Sequence, residues 1–477
     1  MSNDVSMKKA VAYTAMAKYT TAILQLVFAA ILSRLLTPEQ FGTVAVINVF
    51  IVFFQIFCDM GFGTAVIQDK GLTERQTNHI FSWTVYLGFA LMLLFIGASF
   101  PIAKIYEDSI YVPLGIILSV SLLFNSLNMI PNAVMLKQKQ FKSIAFRTIL
   151  SSIAASLFTI VLAFKGLGVY ALVLQAVFTS LFIFLWNELS VKLKFCLKPE
   201  FSIIKRIWGY SVYQFLAQLL NYFNRNLDSL LIGKYFSKAD LGQYNKSYHL
   251  MQLPITYIPG VIGPALHPIL SEHQNDPQYI YDAYMRVLKM LSLVGCFITV
   301  LLYYTGEELV LILFGDQWHL AITPFKLLAL SVWCQLLINT VGPIYQSLGN
   351  TKLMFTSGLI VGPMIIGFIV LGCVMGSIVS VATCVSIAYV FNFFFCFFIL
   401  IKYGFHMSLR DFFCSFIPDL IIISILMTVT LIPLQIDNLV LSFIAKSLIL
   451  SSVYIIMLII TKQHKPFLQM IKKYRTN

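Results

Sequence analysis

The chain has 477 residues, room for two or three soluble domains, yet 59% are hydrophobic, only 11% are charged, and the mean hydropathy is +0.84. Those values exclude an ordinary soluble fold and leave a polytopic membrane protein. The 33 Lys and Arg against 20 Asp and Glu, a net charge of +13, would in a soluble chain suggest nucleic acid, but the placement of the charges gives another cause and no nucleic-acid partner is expected.

A membrane helix needs ~20 mostly apolar residues to cross ~30 Å of hydrocarbon. By that measure the sequence predicts an all-α integral membrane protein of about fourteen transmembrane helices, at roughly 10–33, 43–65, 80–105, 111–136, 144–165, 167–191, 207–233, 240–270, 284–305, 322–348, 353–373, 376–401, 412–434 and 438–461. No connection is longer than about 20 residues, so no soluble catalytic domain is expected.

Ala15-Met16-Ala17 resembles a signal-peptide cleavage site but precedes the apolar run, so span one is expected to stay uncleaved. Its polar residues Thr14, Lys18, Thr21 and Gln25 recur every three or four positions and form a stripe along one face. Span two places apolar Ala45, Val49, Val52 and Ile56 instead. Asp59, near its other end in CDMGFGTAV, reads as a cap, a partner for Lys18 or an ion-coupling residue. Thr73 and Gln76 have capping-box spacing at the start of span three. The run LKQKQFKSIAFR (136–147), basic with Phe141 and Phe146 interleaved, suits the anionic headgroups of membrane lipids or a plain inner-face anchor.

The segment VKLKFCLKPEFSIIKR (191–206) is basic and contains Pro199. It reads as a cytoplasmic linker, residues 193–206, between an N-lobe at 1–192 and a C-lobe at 207–402. Adding 200 to a residue number carries ILSRLLTPEQFG (31–42) onto LIGKYFSKADLG (231–242), each a tight hairpin in which a hydroxyl and a nearby acid cap the next helix. Span seven repeats the stripe at the same offset with Gln214, Gln218, Asn221 and Arg225, extended by Asp228. A polar stripe on a membrane helix has to face protein or water. Its recurrence predicts two pseudo-symmetric six-helix lobes around a central cavity. Asn245, His249, Gln252 and Thr256 stripe span eight, beside Lys246.

Arg225 lies ~13 Å from the hairpin end of its helix, near mid-bilayer, where an isolated ion costs from ~3 to above ~10 kcal/mol. Asp228 is its expected neutralising partner, either as a packing pair or with Arg225 also meeting an anionic substrate. Lys18 and Lys246 have no carboxylate three or four residues away. Lys18, Arg225 and Lys246 are thus the candidate cations for a phosphate-bearing substrate, with Thr14, Thr21, Gln25, Gln214, Gln218, Asn221, Asn245, His249 and Gln252 as the polar lining and Asp59 and Asp228 as an ion-coupling or structural pair. Lys326 and Lys446, near helix ends, are expected to snorkel. The acids Glu107, Asp108, Glu307, Glu308 and Asp316 read as helix caps, so no catalytic residue is expected. Seven scattered His and eight Cys show no ligand or disulfide spacing, and neither metal nor cofactor is expected.

Residues 403–461 supply two extra C-terminal helices, and 462–477, starting a basic amphipathic helix at Pro466, form a cytoplasmic tail. With the amino terminus inside, only Arg34, Lys104, Lys165, Lys234 and Lys238 fall outside. That asymmetry predicts both termini in the cytoplasm and accounts for most of the basic balance.

The series SRLLTPEQFG, DMGFGTAVIQ, NRNLDSLLIGKYFSKADLGQYNKSYHLMQLP, LILFGDQWHLA and SLGNTK resembles the polysaccharide-transport branch of the multidrug/oligosaccharidyl-lipid/polysaccharide exporter superfamily, the Wzx-type flippases of lipid-linked oligosaccharides for O-antigen, capsule and related exopolysaccharides. The resemblance runs from residue 10 to 460. It implies a cavity open alternately to either side of a bacterial plasma membrane, an undecaprenyl-pyrophosphate-linked glycan as cargo, and a monomer working beside a polysaccharide polymerase and chain-length machinery. Two rivals stay open. A drug or cation antiporter would favour cavity acids, which are few here; a polymerase or lipid-linked glycosyltransferase would need larger loops bearing acids or bases.

Overall fold

The computed structural model describes residues 2–59, 62–69, 71–201, 203, 219, 222, 225–259, 270, 276–432, 434 and 436–463, with the side chains of 2–12, 59, 64, 68 and 351 outside the description. Among these residues every regular element is helical. The chain divides into two compact units, residues 1–242 and 243–477.

Among the described residues eleven helices are long and apolar enough to cross a membrane, and a pair bent by 53°, Asp316–Ala329 with Val332–Ser347, makes twelve if counted as one span. Two of the fourteen expected spans account for the difference. The span at 207–233 falls largely on residues outside those described. The span at 240–270 begins as a polar-striped helix, Lys238–Tyr257, and residues 260–269 of it lie outside those described.

In the first unit, α1 (Ser2–Leu35), α2 (Pro38–Asp59), the short α3 (Phe62–Gln68), α4 (Glu74–Ile105), α5 (Tyr111–Lys137), α6 (Phe141–Phe164) and α7 (Val169–Ser190) precede α8 at 225–235 and the start of α9 (Lys238–Tyr257). The expected capping box opens α4: Thr73 Oγ1 accepts the Gln76 N–H at 3.2 Å and Gln76 Oε1 accepts the Thr73 N–H at 3.0 Å. Small residues set the approach of α4 to α5, because a Cβ on Gly88 would stand 2.9 Å from Ser126 Cβ and one on Gly115 2.5 Å from Ser99 Cβ. Such contacts let membrane helices gain dispersion where no hydrophobic effect acts between them.

The segment after α7 is tied down along α4 instead of crossing open space. Lys194 N–H donates to Asn78 Oδ1, Cys196 N–H to Ser82 Oγ and Tyr86 Oη to the Leu197 carbonyl. The polar face of α4 thereby takes up backbone groups that would otherwise be unsatisfied.

The second unit continues α9 and adds α10 (Pro277–Tyr304), α11 (Gly306–Phe314), α12 (His319–Ala329), α13 (Val332–Ile338), α14 (Val341–Ser347), α15 (Thr351–Val374), α16 (Ile378–Ile399), α17 (Leu409–Cys414), α18 (Ile417–Val429) and α19 (Leu439–Ile460). Its core is an aromatic cluster of Trp333, Phe393, Phe397, Phe412 and Phe416. Two buried ion pairs fasten the C-terminal helices to it. Asp419 of α18, wholly buried, accepts from Ser292 Oγ at 2.5 Å and lies 3.7 Å from Lys289 Nζ. On α19, Lys446 pairs with Glu308 of α11, which also accepts from Ser442 Oγ at 2.7 Å. Lys446 therefore does not snorkel; the charge stays inside because a carboxylate meets it there. Lys326 pairs with Glu307 at 3.5 Å at a more exposed position, which leaves its expected reach toward the surface intact.

Removing one member of a buried pair leaves the other charge uncompensated, at ~3–5 kcal/mol. Lys446→Met is expected to lower the thermal midpoint of detergent-solubilised protein accordingly. The double variant Glu308→Gln/Lys446→Met should recover most of that loss; equal midpoints for single and double variants would count against the pairing.

Candidate functional site

Two hairpins, 200 residues apart in the chain, are built alike. At the first, Thr37 Oγ1 accepts the Gln40 N–H at 3.3 Å while Gln40 Oε1 accepts the Thr37 N–H at 3.0 Å. At the second, Ser237 Oγ accepts the Asp240 N–H at 3.0 Å while Asp240 Oδ2 accepts the Ser237 N–H at 3.3 Å. Both are reciprocal capping boxes. The partner in the first is the amide Gln40, where the sequence suggests the acid beside it.

The two helix starts meet through glycine. A Cβ on Gly42 would stand 1.7 Å from the Lys238 carbonyl oxygen, and one on Gly242 2.0 Å from that of Pro38. Residue 42 faces 238 and residue 242 faces 38, which is the self-complementary pattern of a local twofold. Neighbouring contacts hold the second hairpin in place: Tyr222 Oη donates to the Val49 carbonyl at 2.8 Å, Lys234 Nζ to that of Ile105 at 2.6 Å, and Lys238 pairs with Asp108. Burial by itself would raise the Asp108 pKa, but hydrogen bonds from Lys238 and the Ile110 N–H outweigh it and hold the carboxyl below its usual range.

The candidate site residues are placed as follows. On α1, Thr14 and Gln25 are exposed, and Lys18 and Thr21 half-buried. Gln214, Gln218 and Asn221 lie outside the described residues, as does the side chain of Asp59. Arg225 is exposed, whereas Asp228 is 4% exposed and accepts the Ser229 N–H at 2.7 Å. Among the described residues no ion pair joins Arg225 to Asp228, because the carboxylate is turned into the packing while the guanidinium stays at the surface.

On α9 the polar stripe faces outward, with His249 and Thr256 exposed and Asn245 and Gln252 half-buried. The opposite face is fixed by Gln243 Nε2 donating to the Gln317 carbonyl at 2.8 Å and Ser247 Oγ to that of Ala321 at 2.7 Å. Lys246, between the two faces, is 8% exposed, its ammonium 4.9 Å from the Phe314 ring and 5.4 Å from the Trp318 ring. Aromatic faces hold a cation without neutralising it.

Sequence reasoning missed three other buried ions. Asp419 and Glu308 belong to the fastening pairs above, and their partners are too distant in the chain for any spacing to reveal. Arg147, counted with the basic run 136–147, is 6% exposed among amides. A lone Arg near a helix start reads as an inner-face anchor, and nothing local in the sequence marks its burial.

A protein family described as polysaccharide biosynthesis protein matches residues 31–323. The chain belongs to that family. Among its curated relatives are the teichuronic acid biosynthesis protein TuaB of Bacillus subtilis, 26% identical over 80% of this chain and 79% of that one, and the succinoglycan biosynthesis transport protein ExoT of Rhizobium meliloti, 24% identical over 79% and 76%. The lipopolysaccharide biosynthesis protein WzxC of Escherichia coli is 22% identical over 82% of this chain and 80% of its own. Of the solved structures, the lipid II flippase MurJ in an inward closed conformation matches with a TM-score of 0.76 at 16% identity, covering 95% of this chain and 99% of that one. A MATE family transporter of the MOP superfamily, inward-facing, matches with a TM-score of 0.63 at 18% identity over 79% and 93%. This polysaccharide biosynthesis family member is thus a multi-pass membrane protein with a MurJ- and MATE-like fold.

At the glycine crossing a methyl group would force the helix starts apart by about 1–2 Å to restore normal contact. Gly42→Ala and Gly242→Ala are each expected to lengthen the distance between spin labels at residues 39 and 239 in a cysteine-free background, measured by double electron–electron resonance in nanodiscs. An unchanged distance in both would mean that the crossing yields elsewhere.

Proposed function

We propose that this protein flips an undecaprenyl-pyrophosphate-linked oligosaccharide from the cytoplasmic to the outer leaflet of a bacterial plasma membrane, as a monomer, by alternating access and without making or breaking a covalent bond. The observation that carries the reading is the self-complementary crossing at Gly42 and Gly242. Two equivalent helix starts meeting backbone to backbone form a contact that is either made or broken, as a gate between two access states requires. Membership of a polysaccharide biosynthesis family and relatives named for transport support the cargo class.

The chemistry of such cargo suits the residues. Its isoprenoid tail can remain in lipid while a doubly phosphorylated, sugar-bearing head crosses, so the path needs cations for phosphate and amides for hydroxyls. Lys18, Arg225 and Lys246 fill the first role in this reading, and the amides and hydroxyls of the α1 and α9 stripes the second. Lys246, braced by two rings, gives the most fixed of the three charges. The basic inside segments and both termini lie in the cytoplasm, and polymerisation of the delivered glycan belongs to separate enzymes.

Deletion is expected to accumulate the lipid-linked intermediate on the inner leaflet. In proteoliposomes carrying that intermediate, Lys18→Gln/Arg225→Gln/Lys246→Gln should slow the appearance of glycan to an impermeant probe by tenfold or more at unchanged protein level. Wild-type rates in the triple variant would remove these cations from the path.

A further inference from the structure

The first unit contains a cavity of about 530 Å³ bordered by α2, α3, α5, α6 and α7. Arg147 lines it together with Gln55, Asn125, Asn128 and Asn132. The volume is in the range of small-molecule sites, ~300–1,000 Å³.

The guanidinium is held by neutral groups. Asn187 Oδ1 accepts from Nη1 at 2.5 Å, Asn132 Oδ1 from Nη2 at 3.1 Å, and the Met135 sulfur lies 3.9 Å from Nη1. Nε is buried without a hydrogen-bond partner among the described residues. A second layer fixes Asn187: its Nδ2 donates to Asn128 Oδ1 at 2.9 Å, and Asn128 Nδ2 to the Ser180 carbonyl at 2.9 Å. The Asn187 oxygen is thus committed to its orientation, and that end of the guanidinium is positioned before any ligand arrives.

Among the described residues no carboxylate forms an ion pair with Arg147, unlike Lys289 and Lys446, which each meet one. Amide oxygens solvate a guanidinium but do not cancel its charge, and an uncompensated ion in a low-dielectric interior is costly. A buried Arg that lines a roomy amide-bordered cavity and is held only by neutral groups suits a planar or tetrahedral oxyanion.

We propose that the Arg147 cavity is an anion subsite that binds a phosphate-class group, with the amides at 55, 125 and 132 accepting and donating to oxygens beyond the phosphate. Arg147 is the seventh residue of α6, on the end of the unit that carries the basic run 136–147, so the site would meet a headgroup arriving from the cytoplasmic leaflet. Its assignment to the diphosphate of a lipid-linked glycan rests on the flippase reading above. The binding itself does not.

The test uses full-length protein in nanodiscs and inorganic pyrophosphate as probe, read by isothermal titration calorimetry and by the thermal midpoint. In phosphatidylcholine discs the wild type should bind saturably; Arg147→Lys should weaken binding at least tenfold and Arg147→Gln abolish it. Because Arg147→Gln could also impair folding, Asn132→Asp serves as the second variant. A carboxylate 3.1 Å from Nη2 supplies an internal counter-ion, so this variant should keep or raise the midpoint while losing pyrophosphate binding. Discs containing phosphatidylglycerol distinguish the source of the anion: competition by that lipid would assign the site to headgroups, and its absence to free or substrate phosphate. Wild-type protein that does not bind pyrophosphate in phosphatidylcholine discs, or an Asn132→Asp variant that binds normally with a lowered midpoint, would overturn the subsite. Neither result bears on transport, and a failed flipping assay would leave a positive binding result intact.

Discussion

In the interior of a membrane protein each polar group has to find its partner within the chain, because neither lipid nor bulk water supplies one. Buried ions feel that constraint most. Lys289 meets Asp419 and Lys446 meets Glu308, and in both cases the pairing fastens a C-terminal helix to the body of its unit. Helix association in lipid has no hydrophobic effect to drive it. Charge pairing and close packing therefore take over the work that a greasy core does in water.

Close packing is taken furthest at the hairpins. At residues 42 and 242 the approach of backbone to backbone leaves no space even for a methyl group. Glycine is required there by the neighbour's carbonyl, not by its own dihedral angles. The crossing joins two copies of one local design, each a helix end, a capping box and a glycine. In the reading proposed above, this contact serves as the gate.

Against this background the cations differ from one another. Lys246 rests on aromatic faces, Arg225 stands at the surface, and Arg147 is solvated by amides arranged in two layers. An amide shell lowers the cost of burying charge without removing the attraction for an anion. Lys289 and Lys446, by contrast, each meet a carboxylate that cancels the charge.

Features that depend on near neighbours along the chain were legible before any fold was known. The apolar runs gave membrane helices, the 200-residue offset gave two equal hairpins, and the capping pairs at 73 and 76 and at 237 and 240 follow from spacing within a single turn. Which charges meet depends on contacts between distant helices. Lys446 and Glu308 are 138 residues apart, and Arg147 reaches Asn187 across 40; no periodicity encodes either contact. Arg225 and Asp228 show the converse, since neighbouring positions on one helix paired on paper but were sent to different environments by packing. Burial is a property of what lies opposite a side chain, and that is settled only when distant helices come together.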